Sequence, residues 1–193
     1  LAHLEGRPPS RDLLGLAQSL AAQHRFFHWP LEFPEVFAQG GFDVVLSNPP
    51  WDQIQFDDRE FFRHLRPDIA EAPNMAKRVQ MVARLAAEDP ELYARYSAAR
   101  QSVEALQSFV HASGRFPLTS FGRLNLAPLF AESVRRLVRS SGRAGLIVPT
   151  GIATDAFNQY FFADLNEKGQ LVSLYDFENR KGLFPSVDSR YKF

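Results

Sequence analysis

The 193-residue sequence predicts an α/β fold organised around a parallel sheet. Three observations lead there. Short apolar runs at 42–47, 144–149 and 171–177, each bounded by turn residues, have the composition of buried strands. The stretches between them carry apolar residues at helical spacing. Strand, helices, strand, helix, strand is the alternation that a parallel sheet with crossover helices requires.

In chain order, Ser10–His24 reads as an amphipathic helix with Ser10 as N-cap and Leu13, Leu14, Ala17, Leu20 and Ala21 at helical spacing. The prolines of Phe26-Phe27-His28-Trp29-Pro30-Leu31-Glu32-Phe33-Pro34-Glu35-Val36-Phe37 forbid a long helix and favour extended structure. Gly40-Gly41 is a turn, and Phe42–Ser47 is the first strand, ending at Asn48-Pro49-Pro50-Trp51. From Asp57 to about His111 the pattern is helical, divided by Pro67, Pro73 and Pro90, with a helical hairpin at 74–87 and 90–110 around Asp89-Pro90. Ser113–Thr119 is a loop. Asn125–Ser140 is a helix closed by Ser141-Gly142, Ala144–Pro149 the second strand, Phe157–Asn166 a helix and Leu171–Phe177 the third strand.

Composition narrows the function classes. Twenty-two Lys+Arg balance 22 Asp+Glu, so nothing in the net charge suits a chain whose main task is to grip nucleic acid. With no cysteine there are no disulfides, thiolate zinc sites or cysteine nucleophiles. No apolar run approaches the ~20 residues that span a bilayer, and no signal-peptide pattern opens the chain, so a cytoplasmic protein without a membrane partner is expected. The chain starts at Leu1 rather than Met and closes on Tyr191-Lys192-Phe193, which reads as a piece of a longer protein.

The chemistry concentrates at Asn48-Pro49-Pro50-Trp51. Open parallel sheets bind ligands beyond the carboxyl ends of their strands, where this tetrapeptide is expected. Consecutive prolines stiffen the backbone and remove two N–H donors, leaving carbonyls to accept. The Asn48 side chain adds another carbonyl acceptor and Trp51 a broad aromatic face. Two convergent acceptors beside a stacking surface suit a planar ring with an exocyclic amine, the NH₂ donating to Asn48 Oδ1 and the Pro49 carbonyl. Such hydrogen bonds draw the nitrogen lone pair out of conjugation and make it nucleophilic; its proton can leave after transfer, so no base is needed first. A base in duplex DNA reaches such a pocket only after flipping out of the stack. The plainer reading is a turn followed by a core tryptophan.

Asp43-Val44-Val45-Leu46-Ser47-Asn48-Pro49-Pro50-Trp51 resembles motif IV of S-adenosylmethionine-dependent amino-methyltransferases, whose [ND]PP[YFW] loop binds the target amine. Asn in the first position resembles the enzymes acting on adenine N6. Phe27–Phe37 with the following Gly-Phe-Asp strand is similar to the approach to motif IV in single-chain (type IIG) restriction–modification enzymes and related phage-defence methylases. Gly122-Arg123-Leu124-Asn125-Leu126 and Leu129-Phe130 are similar to the family's next helix, Gly142–Gly151 resembles its motif VI strand, and Phe177-Glu178-Asn179 with Lys181, Phe184-Pro185 and Lys192-Phe193 its motif VIII region. In the family an aromatic near the last motif packs against the flipped base, and Phe177 is the matching residue.

The resemblance implies a partial Rossmann-like methyltransferase sheet made of the later strands, with a helical insertion at about 57–112. It implies S-adenosylmethionine as cofactor and double-stranded DNA as partner through the full-length protein. The DNA adenine-N6 methyltransferase reading assigns catalysis to Asn48, Pro49, Pro50 and Trp51 and substrate packing to Phe177. The family's glycine-rich cofactor loop is not found: Gly6, Gly15 and Gly40-Gly41 follow no strand, and Gly142-x-x-Gly145 precedes one. Residues 1–193 are therefore expected to be the later part of a catalytic domain, inactive alone, with the cofactor loop and the target-recognition domain in other parts of the parent chain. Methylation of an RNA or a protein amide, and a non-catalytic interaction domain on a methylase frame, stay open as alternatives.

Other candidates read more plainly. His24 and His28 are four apart but separated from any third ligand, so no metal is expected. Phe26, Phe27, Trp29, Phe33 and Phe37 lack interleaved basic residues and read as core rather than a base-stacking platform. Arg135, Arg136, Arg139 and Arg143 suit a solvated helix end as well as phosphate. Ser186-Val187-Asp188-Ser189 has no His partner for a triad.

Overall fold

A computed structural model describes residues 10–182, 184–185, 188–190 and 192–193. The helix α1 (Arg11–His24) starts where expected: the Ser10 hydroxyl accepts from Leu13 N at 3.3 Å, and Arg25 ends it in the left-handed region at φ 48°. No residue of α1 is buried. The proline-rich stretch that follows is not extended. It folds into two short helices, α2 (Trp29–Glu32) and α3 (Pro34–Ala38), because Pro30 and Pro34 fall in first turns, where a missing N–H costs nothing.

The strand β1 (Phe42–Ser47) then runs into the Asn-Pro-Pro-Trp loop. A helical layer follows: α4 (Asp58–Phe62), α5 (Pro67–Ala70), α6 (Met75–Glu88) and α7 (Pro90–Ala112), the last two forming the expected hairpin. Asn74 caps α6 by accepting from Lys77 N at 2.9 Å, and Asp89 caps α7 by accepting from Leu92 N at 3.0 Å. Phe62, Ile69, Val82, Leu85, Leu92 and Tyr96 form the core of this layer. Buried Arg78 donates to the carbonyls of Ile69 and Ala70, satisfying the end of α5.

Beyond the loop at 113–119, α8 (Leu126–Leu137) leads straight into β2 (Val138–Leu146). The helix thus stops three residues short of the expected Ser140, and the strand begins before the expected Ala144. Val134, Leu137 and Val138 continue the helical period, but Val138 instead pairs with Phe42. The two strands are parallel, pairing Val44–Ser47 with Arg143–Leu146 after an irregularity that absorbs the residues around Gly142. After β2 come α9 (Gly151–Thr154), a 3₁₀ turn (Ala156–Asn158) and α10 (Gln159–Glu167).

Further expectations need correction. Residues 171–177 form no strand; at their end only Glu178 bridges to Lys192, while Phe177 and Phe193 exchange backbone hydrogen bonds of 2.7 and 2.9 Å. A β-prone composition makes a strand only where a neighbouring backbone answers it. Among the described residues the sheet therefore has two strands rather than three. Moreover β1 is not buried: Val44 is 56% and Leu46 79% exposed, since this face is covered only in part, across a cavity of about 580 Å³, by α7 and α8. The aromatic cluster of Trp29, Phe33 and Phe37 does gather on Phe42, with ring centroids 5.5–5.8 Å apart, but at the surface. Phe26 and Phe27 are exposed rather than core.

Candidate functional site

The loop at 48–51 begins where pairing must stop. Ile147 N still donates to Ser47 O at 3.0 Å, but Pro49 and Pro50 have no N–H to extend a ladder. The chain therefore leaves the sheet at the carboxyl end of β1. Pro49 is buried, Trp51 half-buried, and Asn48 and Pro50 exposed. Among the described residues no hydrogen bond engages the Asn48 amide.

The far end of the loop is tied on two sides. The Trp51 indole Nε1 donates to Ile147 O, just past β2, at 3.2 Å. The Trp51 carbonyl accepts from Asn125 Nδ2 at 2.8 Å. Asn125 also uses its Oδ1 to accept from Ala127 N at 2.8 Å, so one side chain caps α8 and holds the loop. Next to it Leu126 N donates to Asp52 O at 2.9 Å and Ile54 N to Leu124 O at 3.0 Å, a short antiparallel strap at 52–54 and 124–126.

An aromatic chain lies beside the loop. Phe193 sits 6.0 Å from Trp51 and 6.1 Å from Phe177, the latter near-parallel at 26°, and Phe184 meets Phe193 edge-on at 5.6 Å. Phe177 is 58% exposed. The fold thus joins Phe177 to Trp51 through Phe193, across more than a hundred residues of sequence. The Thr150 hydroxyl, hydrogen-bonded to Asp176 Oδ1 at 2.5 Å, and Thr150 N, bonded to Lys192 O at 3.2 Å, fasten the Asp176–Phe177 segment to the end of β2.

The loop and Phe177, singled out from the sequence, are brought together by the fold, and sequence reasoning missed Asn125, Ile147 and Phe193 as supports of the loop. Asn125 was legible only as a helix start, and nothing local signals a contact reaching back to Trp51. The cofactor loop is no better placed by the structure. Gly15 lies inside α1, and Gly40 and Gly41 precede β1 with φ of 91° and 120°. Gly151, which follows β2, opens a helix of four residues. None forms a glycine turn after a strand, so the described residues do not fit the grip on S-adenosylmethionine; Gly6 lies outside them.

The arginine cluster is largely committed to acidic partners. Arg135 pairs with Asp164 at 2.5 Å, Arg136 with Glu132 at 2.8 Å and Arg139 with Asp43 at 2.5 Å, while Arg143 donates to the Gly142 carbonyl at 3.0 Å. The Lys168 ammonium and the Arg135 guanidinium hold the Asp164 carboxyl below the usual carboxylate range. Ser186 and Val187 lie outside the described residues, and Asp188 accepts from Arg190 at 2.9 Å. No helix among the described residues is long and apolar enough to cross a membrane.

Residues 8–79 match the family model of the Eco57I restriction-modification methylase, a span running from α1 through the loop into α6. No curated protein and no solved structure matches the chain.

Proposed function

We propose that the chain presents the amine-binding loop of a DNA adenine-N6 methyltransferase, a reading supported by the match of residues 8–79 to the Eco57I restriction-modification methylase model. Asn48 Oδ1 and the Pro49 carbonyl would accept from the N6 amine, Pro50 would stiffen the loop, and Trp51 and Phe177 would pack on the flipped base. The observation that carries this reading is the Asn48 amide: exposed, without a hydrogen bond among the described residues, and on a loop whose other end is tied to β2 and α8. A group that holds a substrate amine must be free to accept while its support is rigid.

S-adenosylmethionine supplies the methyl group in this reaction, and its main binding elements are proposed to lie outside residues 1–193. Double-stranded DNA is the proposed partner, gripped by other domains of the parent chain in a restriction–modification or phage-defence setting, in the cytoplasm. The balanced charge of 22 against 22 fits a piece that orients a base without holding the backbone.

The test incubates the full-length protein carrying this sequence with methyl-labelled S-adenosylmethionine and, in parallel, duplex DNA, RNA or protein. Label in DNA, recovered as N6-methyladenine on nucleoside analysis, is expected. Asn48→Ala is expected to cut the rate by about a hundredfold or more, as when one acceptor or donor aligned on the reacting group is removed. Label in RNA or protein alone moves the substrate to another class. An Asn48→Ala variant as active as the wild type removes the loop from catalysis.

A further inference from the structure

We infer that Asn125 is a positioning residue for the Asn48–Trp51 loop: its amide joins the loop to the N-terminus of α8. The inference rests on the methyltransferase reading for its effect on rate, though its structural part stands apart from it. The two ends of this one side chain have separate tasks. Oδ1 accepts from Ala127 N at 2.8 Å and so caps α8. Nδ2 donates to the Trp51 carbonyl at 2.8 Å and so fixes the last residue of the loop. Ser or Asp would cap the helix as well as Asn does. An amide, unlike a carboxylate, caps it and also donates an N–H to a second carbonyl.

The place of this hydrogen bond gives it leverage. Pro49 and Pro50 donate none of their own, so the loop has few backbone means of holding itself. The indole hydrogen bond to Ile147 O at 3.2 Å acts on the same residue, Trp51. The strap at 52–54 and 124–126 then carries the loop's direction into α8, whose Ala127, Leu129, Ala131 and Val134 are buried. Asn125 thus refers the position of the loop to a helix anchored in the core. A loop placed an ångström off would still bind a base but would present the amine at the wrong angle.

Asn125→Asp separates the two tasks. The carboxylate keeps the cap but loses the donor and sets an oxygen against the Trp51 carbonyl. With 5-fluorotryptophan incorporated into the 193-residue chain, the Trp51 ¹⁹F resonance, assigned by its loss in Trp51→Phe, should shift in Asn125→Asp. Helical circular dichroism and the melting temperature should stay within a few degrees of the wild type. Asn125→Ala, which loses both bonds, should shift the resonance and also melt earlier. In the full-length protein Asn125→Asp should lower kcat about tenfold, with KM within about twofold. An unmoved ¹⁹F resonance in Asn125→Asp overturns the inference, as does a kcat loss that appears only in variants with lowered melting temperature. A shifted resonance with full methylation leaves the tether intact and counts against a catalytic loop instead.

Discussion

Tyr96 shows how a single side chain links the helical layer to pH. Its ring is buried against Phe62, with centroids 5.1 Å apart, and against Phe56 and Phe61, while its hydroxyl donates to Asp58 Oδ1 at 2.9 Å. Burial pushes its pKa up because a phenolate there would lose water; the nearby Arg100 guanidinium opposes this and Asp58 reinforces it. The folded-state pKa therefore lies above the unfolded one, near 10. Stability from this group is complete below about pH 10 and is lost as pH rises through the folded-state value, because the unfolded chain releases the proton first. Tyr96→Phe removes the hydroxyl and should cost about 1 kcal/mol at pH 7. It should also flatten the loss of stability between pH 9 and 11. Urea titrations of both proteins across that range check this, and equal slopes would show that Tyr96 does not titrate with folding.

Among the secondary-structure elements, β2 is the one that local sequence described least well. Its start is hidden because Val134, Leu137 and Val138 keep the helical period, and only the pairing of Val138 with Phe42 ends the helix. By contrast β1 is legible from its short β-branched run and α6 and α7 from their helical period and the Asp89-Pro90 break between them, since those signals lie within a few positions of the element they mark. Leu171–Phe177 had the composition of a strand without the partner, which no local pattern reveals. The site divides the same way: Asn48-Pro49-Pro50-Trp51 is contiguous and readable, whereas Asn125, Ile147 and Phe193 come together only through the fold. Gly142 makes the β1–β2 irregularity testable. A Cβ there would lie 2.5 Å from Val138 Cγ1, 2.8 Å from the Asp43 carbonyl oxygen and 2.9 Å from that of Phe42. Two of these are backbone atoms of the paired strand and cannot swing away. Gly142→Ala should therefore destabilise by about 2 kcal/mol through overpacking. Gly169→Ala, at φ 61° in open space, should cost about 1 kcal/mol from backbone strain alone. A reversed order of urea midpoints would mean that the irregularity is not built as described.

At the scale of the whole molecule, the buried residues fall into separate clusters. One lies within α4–α7, around Phe62, Ile69 and Leu85; a second joins Ile54, Val110, Leu124 and Leu129; a third joins Ala131, Ile152 and Phe161 beside β2. The helix α7 runs through the first two, contributing Leu92 and Tyr96 at one end and Val110 at the other. The loop at 48–51 is supported beside the second and third clusters, through the strap at Ile54 and Leu124 and through the end of β2. Separate cores open separately when each buries its own apolar surface. Leu85, fully buried in the first cluster, should therefore be costly to truncate without disturbing the site: Leu85→Ala should destabilise that layer by about 3 kcal/mol. Hydrogen exchange should then show faster opening of amides in α6 and the N-terminal half of α7. The amides of Ile147, bonded to Ser47, and Leu126, bonded to Asp52, should keep their wild-type protection. Loss of protection at Ile147 and Leu126 in step with α6 would mean that the clusters open as one unit, and that the helical layer is an energetic support of the loop.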